Sequence, residues 1–230
     1  MNVKSPGLGF YVDKLRNNER FSFVRYGNGE WDCILDLFYR TRSGSQRFTP
    51  SLRAALIDSL KTPHAGAYFT ALQSTSFLQR GGILPQAETW LANNAPDLKW
   101  HDGEVFTKAS MKGRLHPLVA ALEGKRVVVV GPKWTLKLPF ASVFVPVRSH
   151  DCWVQVDAIA AQLRDLHDVV ISFSAGPATK VLIHRLQPLI GAHSWLIDFG
   201  SLWDPYCGVK SRRYHQRITK DVIRRNLEGK

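Results

Sequence analysis

The stretch "KRVVVVG", residues 125–131, constrains the fold more than any other. Four consecutive valines leave no polar face, so the strand they form must be covered on both sides, as strands are inside a parallel sheet. Its last residue, Gly131, leads into Pro132, Lys133 and Trp134. The same grammar recurs in "FSFVRYGNGEW" (21–31), "DVVISFSAG" (168–176) and "SWLIDFG" (194–200), each an apolar run ending in a glycine-containing polar turn. "SVFVPV" (142–147) reads as a further strand and "AYFTAL" (67–72) as a short one.

Between these runs the apolar spacing turns helical. Helices are predicted over 8–18, over Glu30–Phe38 with Trp31, Ile34, Leu35 and Phe38 on one stripe, and from Thr49-Pro50 through Leu60. Others are predicted over Leu84–Asn94, Val154–Leu166 and "PATKVLIHRL" (177–186). Strands alternating with helices specify βαβ units, hence an α/β fold with a mainly parallel sheet and flanking helices. With no repeat, low-complexity tract or linker, residues 1–230 read as a single α/β domain. Residues 1–100 have room to form an N-terminal subdomain, and 210–230 form a basic C-terminal segment.

Composition excludes several classes. The chain is 44% hydrophobic, enough for a core without covalent staples. No apolar run reaches the roughly 18 residues of a membrane span, and "MNVKSPGLGF" lacks the apolar segment of a secretory signal. Cys33, Cys152 and Cys207 are odd in number and far apart, unlike a disulfide framework or a zinc knuckle. A cytoplasmic setting is expected. Net charge is +12, and from Lys210 onward eight cations face only Asp221 and Glu228. That field suits anionic partners such as nucleic acid or nucleotides, and a solvated basic helix accounts for it equally well.

In open parallel sheets, ligands bind beyond the carboxyl ends of the strands. The informative segments are therefore Arg25–Glu30, Gly131–Trp134, Ser174–Lys180 and Asp198–Tyr206. "RYGNGEW" reads as a plain strand-to-helix turn if Gly27 and Gly29 supply positive φ, Asn28 caps the helix and Glu30 favours its first turn. It reads as a ligand loop if Arg25 and Glu30 flank backbone that meets a phosphate at the helix start. It is no dinucleotide fingerprint, because Asp32 stands where a third glycine is wanted, and no Walker A loop occurs in the chain.

In "SFSAGPATK", Ser172, Ser174 and Gly176 suit a diphosphate at a helix start, with Lys180 as counter-charge. A rival reading takes Ser174 as a hydrolase nucleophile, with Asp198 or Asp204 and then His215. The first glycine of that elbow and any oxyanion segment are missing. "IDFGSLWDPYCGVKSRRYH" (197–215) carries Asp198, Ser201, Asp204, Tyr206, Arg212 and Arg213. Aromatics beside arginines suit stacking on a base or sugar while guanidinium groups hold phosphate, and Lys133-Trp134 offers the same pairing.

Taken in order, "FVRYGNGEW", "VVVVGPKW", "ISFSAGPATKVLI" and "IDFGSLWDPYCGVKSRRYH" resemble the GT-D-type glycosyltransferases, including shorter bacterial and phage relatives. The first piece carries most of the likeness, because that family has an Asp-x-Glu element in an R-[FY]-G-D-G-E setting. The resemblance implies a Rossmann-like domain that transfers a sugar from a nucleoside-diphosphate donor, in first choice a UDP-sugar. It also implies Mn²⁺ or Mg²⁺ beside the acidic element. Here Asn28 replaces the first acid, so Glu30 is the expected metal ligand, with Asp32 one turn on as a substitute.

On this reading Glu30, Asn28, Arg25 and Asp204 are the catalytic candidates. Gly27, Gly29, Gly131, Lys133, Trp134, Ser174, Gly176, Lys180, Asp198, Ser201, Tyr206, Arg212 and Arg213 are the donor-binding ones. Glu30 is expected to orient a metal-bound diphosphate or to act as base, and Arg25, Lys180, Arg212 and Arg213 to stabilise the departing charge. The basic surface would suit DNA carrying hydroxymethylated bases as acceptor, a flipped base entering among Trp134, Trp203 and Tyr206. The competing class is a non-catalytic nucleic-acid- or nucleotide-binding protein.

Overall fold

The structure, a computed structural model, describes residues 2–37 and 46–229. Its first half contains β1 (Val3–Lys4), α1 (Leu8–Arg16), β2 (Ser22–Tyr26), α2 (Asn28–Ile34), α3 (Pro50–Lys61) and β3 (Tyr68–Leu72). Then come α4 (Thr75–Arg80), α5 (Leu84–Asn94), β4 (Trp100–Asp102), α6 (Val105–Met111) and α7 (His116–Glu123). The second half holds β5 (Arg126–Gly131), β6 (Val143–Pro146), α8 (Val156–Leu163), β7 (Val169–Phe173), α9 (Ala178–Ile190), β8 (Trp195–Asp198) and α10 (Lys220–Glu228).

All eight strands join one parallel sheet in the order β1-β4-β3-β2-β8-β7-β5-β6. The four valines of β5 divide as their pleat requires. Val128 and Val130 pack with α2, α3, α8 and α9, whereas Val127 and Val129 pack with α1, α6 and α7. The strand is therefore covered on both faces, which is why its sequence shows no alternation. Local chemistry sets the helix starts. Thr49 Oγ1 accepts the Leu52 N–H at 3.1 Å, and Pro50 takes the first helical position, where its missing N–H costs nothing.

The α2 start differs from expectation. Asn28 is the first helical residue and Gly27 is the cap, with φ of −128°, so neither glycine of the turn supplies a positive φ. Gly27 is needed for room instead: a Cβ there would lie 2.5 Å from Gln73 Oε1. Phe38, the last residue of the predicted apolar stripe, lies outside the described residues, while Trp31 and Ile34 are fully buried.

The topology fixes where a ligand can sit. After β2 the chain turns to the face that carries α2 and α3, whose Trp31 and Leu52 join one core cluster. After the neighbouring β8 it turns to the opposite face, where Phe199, Leu202 and Trp203 join the other. Adjacent strands whose connections diverge in this way open a crevice at their carboxyl ends. Among the described residues, no helix is long and apolar enough to cross a membrane.

Candidate functional site

A cleft of about 590 Å³ occupies that crevice. Three of the predicted loops supply Arg25, Gly27, Asn28, Gly29 and Glu30, then Ser174, Gly176 and Lys180, then Ser201 and Asp204, and Arg212 joins them from beyond the last loop. From the fourth loop only Trp134 reaches the cleft among the candidates.

At the floor stands Lys180, in the first turn of α9 and only 2% exposed. Its ammonium lies 2.9 Å from Glu30 Oε1 and 2.9 Å from Asp198 Oδ2, and donates to the Gly176 carbonyl at 3.3 Å. Glu30 Oε2 accepts the Gly27 N–H at 2.9 Å, and Asp198 Oδ1 accepts the Gly200 N–H at 3.0 Å. Burial disfavours the charge on Lys180, but Asp198 and Glu30 outweigh it and hold its pKa above the ordinary value. Burial likewise pushes Glu30 up, and the Lys180 ammonium more than reverses this, leaving the carboxyl below its ordinary range. Lys180 and Glu30 therefore face each other as an ion pair at neutral pH.

Arg25 sits beside it, with Nη1 3.5 Å from Glu104 Oε1. Two glycines make its place. A Cβ on Gly103 would lie 2.6 Å from the Leu72 carbonyl oxygen and 2.9 Å from Arg25 Cγ. Gly200 has φ of +55°, and a Cβ there would lie 2.8 Å from Arg25 Nη2. Across the cleft, Asp204 accepts the Trp134 indole N–H at 2.8 Å and the Ser211 hydroxyl, fixing the tryptophan at the wall. Asn28 Oδ1 and Ser174 Oγ are buried without a hydrogen-bond partner.

The other candidates lie elsewhere. Asp198 is behind the lining, committed to Lys180. Tyr206 turns away, its hydroxyl 2.7 Å from Ser110 Oγ and bonded at 2.7 Å by Asn226 Nδ2. Trp203 is fully buried against Phe140 and Phe199, so no aromatic base pocket of Trp134, Trp203 and Tyr206 is assembled. Gly131 is buried beneath Thr135, and Lys133 and Arg213 are exposed outside the cleft. The hydrolase triad is not assembled either. Ser174 Oγ has no partner, His215 Nδ1 accepts the Arg212 N–H at 3.2 Å, and both aspartates are engaged as described.

The donor set does not fit the divalent cation implied by the GT-D resemblance. Both Glu30 oxygens are taken, one by a fixed ammonium, and Asn28 brings no charge. Asp32 is fully buried and does not line the cleft. Among the described residues, no three His, Cys, Asp or Glu side chains are grouped to hold a metal ion.

Sequence reasoning passed over Gln73, Arg148 and His150, which also line the cleft, and Glu104 beside Arg25. Gln73 follows β3, and Arg148 and His150 follow β6, both strands the sequence predicts, so the rule applied to the other loops would have reached them; Glu104 follows β4, which the sequence does not announce.

No protein-family model matches the sequence, and no curated protein matches it. Solved structures do. A structure described as a new glycosyltransferase (DUF1792) from Streptococcus sanguinis superimposes with a TM-score of 0.69 at 16% identity, over 96% of this chain and 93% of that one. Another, for which domain of unknown function 1792 is said to have a distinct glycosyltransferase fold, gives 0.69 at 15% identity, over 98% and 90%. A selenomethionine-substituted DUF1792 domain gives 0.68 at 16% identity, over 89% and 80%. The chain shares with these structures the GT-D-type glycosyltransferase fold, an all-parallel α/β sheet flanked by helices.

Proposed function

We propose that the protein is a glycosyltransferase that moves a sugar from a nucleoside-diphosphate donor, in first choice a UDP-sugar, to an acceptor hydroxyl. The observation that carries this reading is the convergence of cations, a fixed tryptophan and unpartnered polar atoms on one cleft at the divergence of β2 and β8. The diphosphate is assigned to the start of α9, where Gly176, with φ of +58°, and Ser174 face the cleft and the helix dipole favours anions. Arg25, Arg148 and Arg212 line the same space and would meet the charge that develops on the leaving group, the term that usually dominates such catalysis. Trp134 offers the base or sugar a stacking face. Asn28 Oδ1 is an acceptor and Ser174 Oγ a donor or acceptor for sugar hydroxyls, which would end their isolation.

The test is thermal melting against UDP, GDP and their sugars, followed by detection of released nucleoside diphosphate. A ligand bound only by the native state raises the melting temperature. Stabilisation by one nucleotide sugar, with slow donor hydrolysis, is expected. No shift with any of them would retire the transferase reading in favour of a binding protein.

For the acceptor we propose DNA carrying hydroxymethylated bases, in a cytoplasmic setting. What supports it is a run of exposed cations, Lys210, Arg212, Arg213, Arg217, Lys220, Arg224 and Arg225, that begins at the cleft rim with Arg212. Binding through that run should weaken steeply with salt. Affinity for duplex DNA that does not change between low and moderate salt would remove this acceptor.

A further inference from the structure

We infer that the Lys180 ammonium is the fixed cation of this site, standing where a divalent ion would have to be held, so that the cleft takes its nucleoside diphosphate without metal. The inference depends on the glycosyltransferase reading only for the identity of that ligand.

The geometry argues for it in three steps. Glu30 and Asp198 are the buried carboxylates at the carboxyl ends of β2 and β8, and each places one oxygen 2.9 Å from the same nitrogen. A hard cation needs its carboxylate oxygens at about 2.0–2.6 Å and arranged around itself. To enter between this pair it would have to displace an ammonium that is packed there with its side chain only 3% exposed. Asn28 fits that state. An aspartate there would add a third carboxylate to a cleft whose buried cation is already shared by two, and the amide avoids that charge while still lining the cleft.

The third step separates Lys180 from the phosphate-binding groups. An ammonium has three N–H donors. Here Glu30, Asp198 and the Gly176 carbonyl use all three. Lys180 is thus a positioning residue. It ties α2, β8 and the turn before α9 into one rigid floor and leaves the diphosphate to Arg25, Arg148 and Arg212. This revises the expectation that Lys180 itself meets the leaving group.

The experiment titrates Mn²⁺ alone, followed by the loss of its free-ion paramagnetic resonance signal, into wild type, Asn28→Asp, Glu30→Gln, Lys180→Ala and Lys180→Ala/Glu30→Gln. Wild type and Asn28→Asp are expected to take up no equivalent of Mn²⁺. Lys180→Ala should gain one site and a Mn²⁺-dependent rise in melting temperature, both lost when Glu30→Gln is added. A merely structural lysine would produce no such gain. In parallel, UDP and GDP affinities of wild type are measured in EDTA and in Mn²⁺, and should differ by less than about twofold.

One equivalent of Mn²⁺ on wild type that Glu30→Gln abolishes would overturn the inference. So would Mn²⁺ uptake by Asn28→Asp with Lys180 in place, or a folded Lys180→Ala that binds none. If Lys180→Ala does not fold, the wild-type and Asn28→Asp titrations still decide. If no nucleoside diphosphate binds under either condition, the glycosyltransferase reading falls, and the Mn²⁺ titrations decide this one independently.

Discussion

Helix α9 carries two clusters of ionisable side chains about one turn apart, and they are built in opposite ways. Lys180 joins Glu30 and Asp198 in a nearly dry floor. His184 bonds His64 Nε2 at 2.9 Å through Nδ1 and Asp58 Oδ2 at 3.0 Å through Nε2, at the protein surface. Each cluster links α9 to α2 or α3. The difference lies in what replaces a missing partner. Water reaches Asp58, whereas nothing replaces Lys180 for two buried carboxylates. The buried cluster is therefore a constraint on the site's geometry, and the exposed one is a local contact.

The largest effect should come from breaking the buried cluster at its centre. Lys180→Ala strands two carboxylates, and removing one partner of a buried ion pair costs about 3–5 kcal/mol. Urea unfolding with an unchanged m-value is the measure. A loss under ~1 kcal/mol would mean that water enters the floor, which would erase the contrast between the clusters.

Glu30→Gln should cost less, about 1.5–3 kcal/mol, because Asp198 still neutralises the ammonium and the amide still accepts from Gly27. It also has a pH signature. The folded pKa of Glu30 lies below its ordinary 4.5, so its contribution is complete above 4.5 and is lost as pH falls through the lowered folded value. Wild type should lose melting temperature there more steeply than Glu30→Gln. Parallel acid limbs would show that Glu30 does not carry the charge assigned to it.

Asp58→Asn tests the other side of the comparison. The Asp58 carboxylate is two-thirds exposed, so its bond to His184 should be worth under ~1 kcal/mol at neutral pH. A loss as large as that of Lys180→Ala would show the surface cluster to be a second anchor of α9.

How much of this was legible follows from how each residue is held. β5, β7 and β8 announce themselves because burial on both faces demands unbroken apolar runs. β1 has two residues and β4 is only "WHD", so pairing rather than composition makes them strands, and Glu104 beyond β4 was missed with it. Helix α9 runs four residues past the predicted end at Leu186 and carries Pro188 inside it, two residues before its end at Ile190. The loops that form the cleft were readable from strand ends alone. Which side chains those loops engage was not. Lys180 beside a glycine turn looks the same in sequence whether it faces a phosphate or two carboxylates, and Tyr206 beside arginines gives no hint that Ser110 and Asn226 hold its hydroxyl.

The effect expected to be smallest at neutral pH is the one that separates the clusters on the pH axis. His64 stacks on Tyr68 with ring centroids 4.1 Å apart, and its pKa is lowered from 6.5 to about 4, by burial first and then by His184. A histidine whose folded pKa is depressed resists a proton that the unfolded chain accepts readily. Stability is therefore intact above 6.5, declines as pH falls from 6.5 to about 4, and declines no further from this group below that. The Glu30 contribution is lost only below 4.5, so the two windows barely overlap. His64→Gln should flatten the melting curve between pH 6.5 and about 4.5 and leave the steeper acid limb in place, while Glu30→Gln does the reverse. If His64→Gln flattened the acid limb as well, the two clusters would be coupled through α9 and not independent. The exposed cluster would then belong to the same rigid unit as the floor of the cleft.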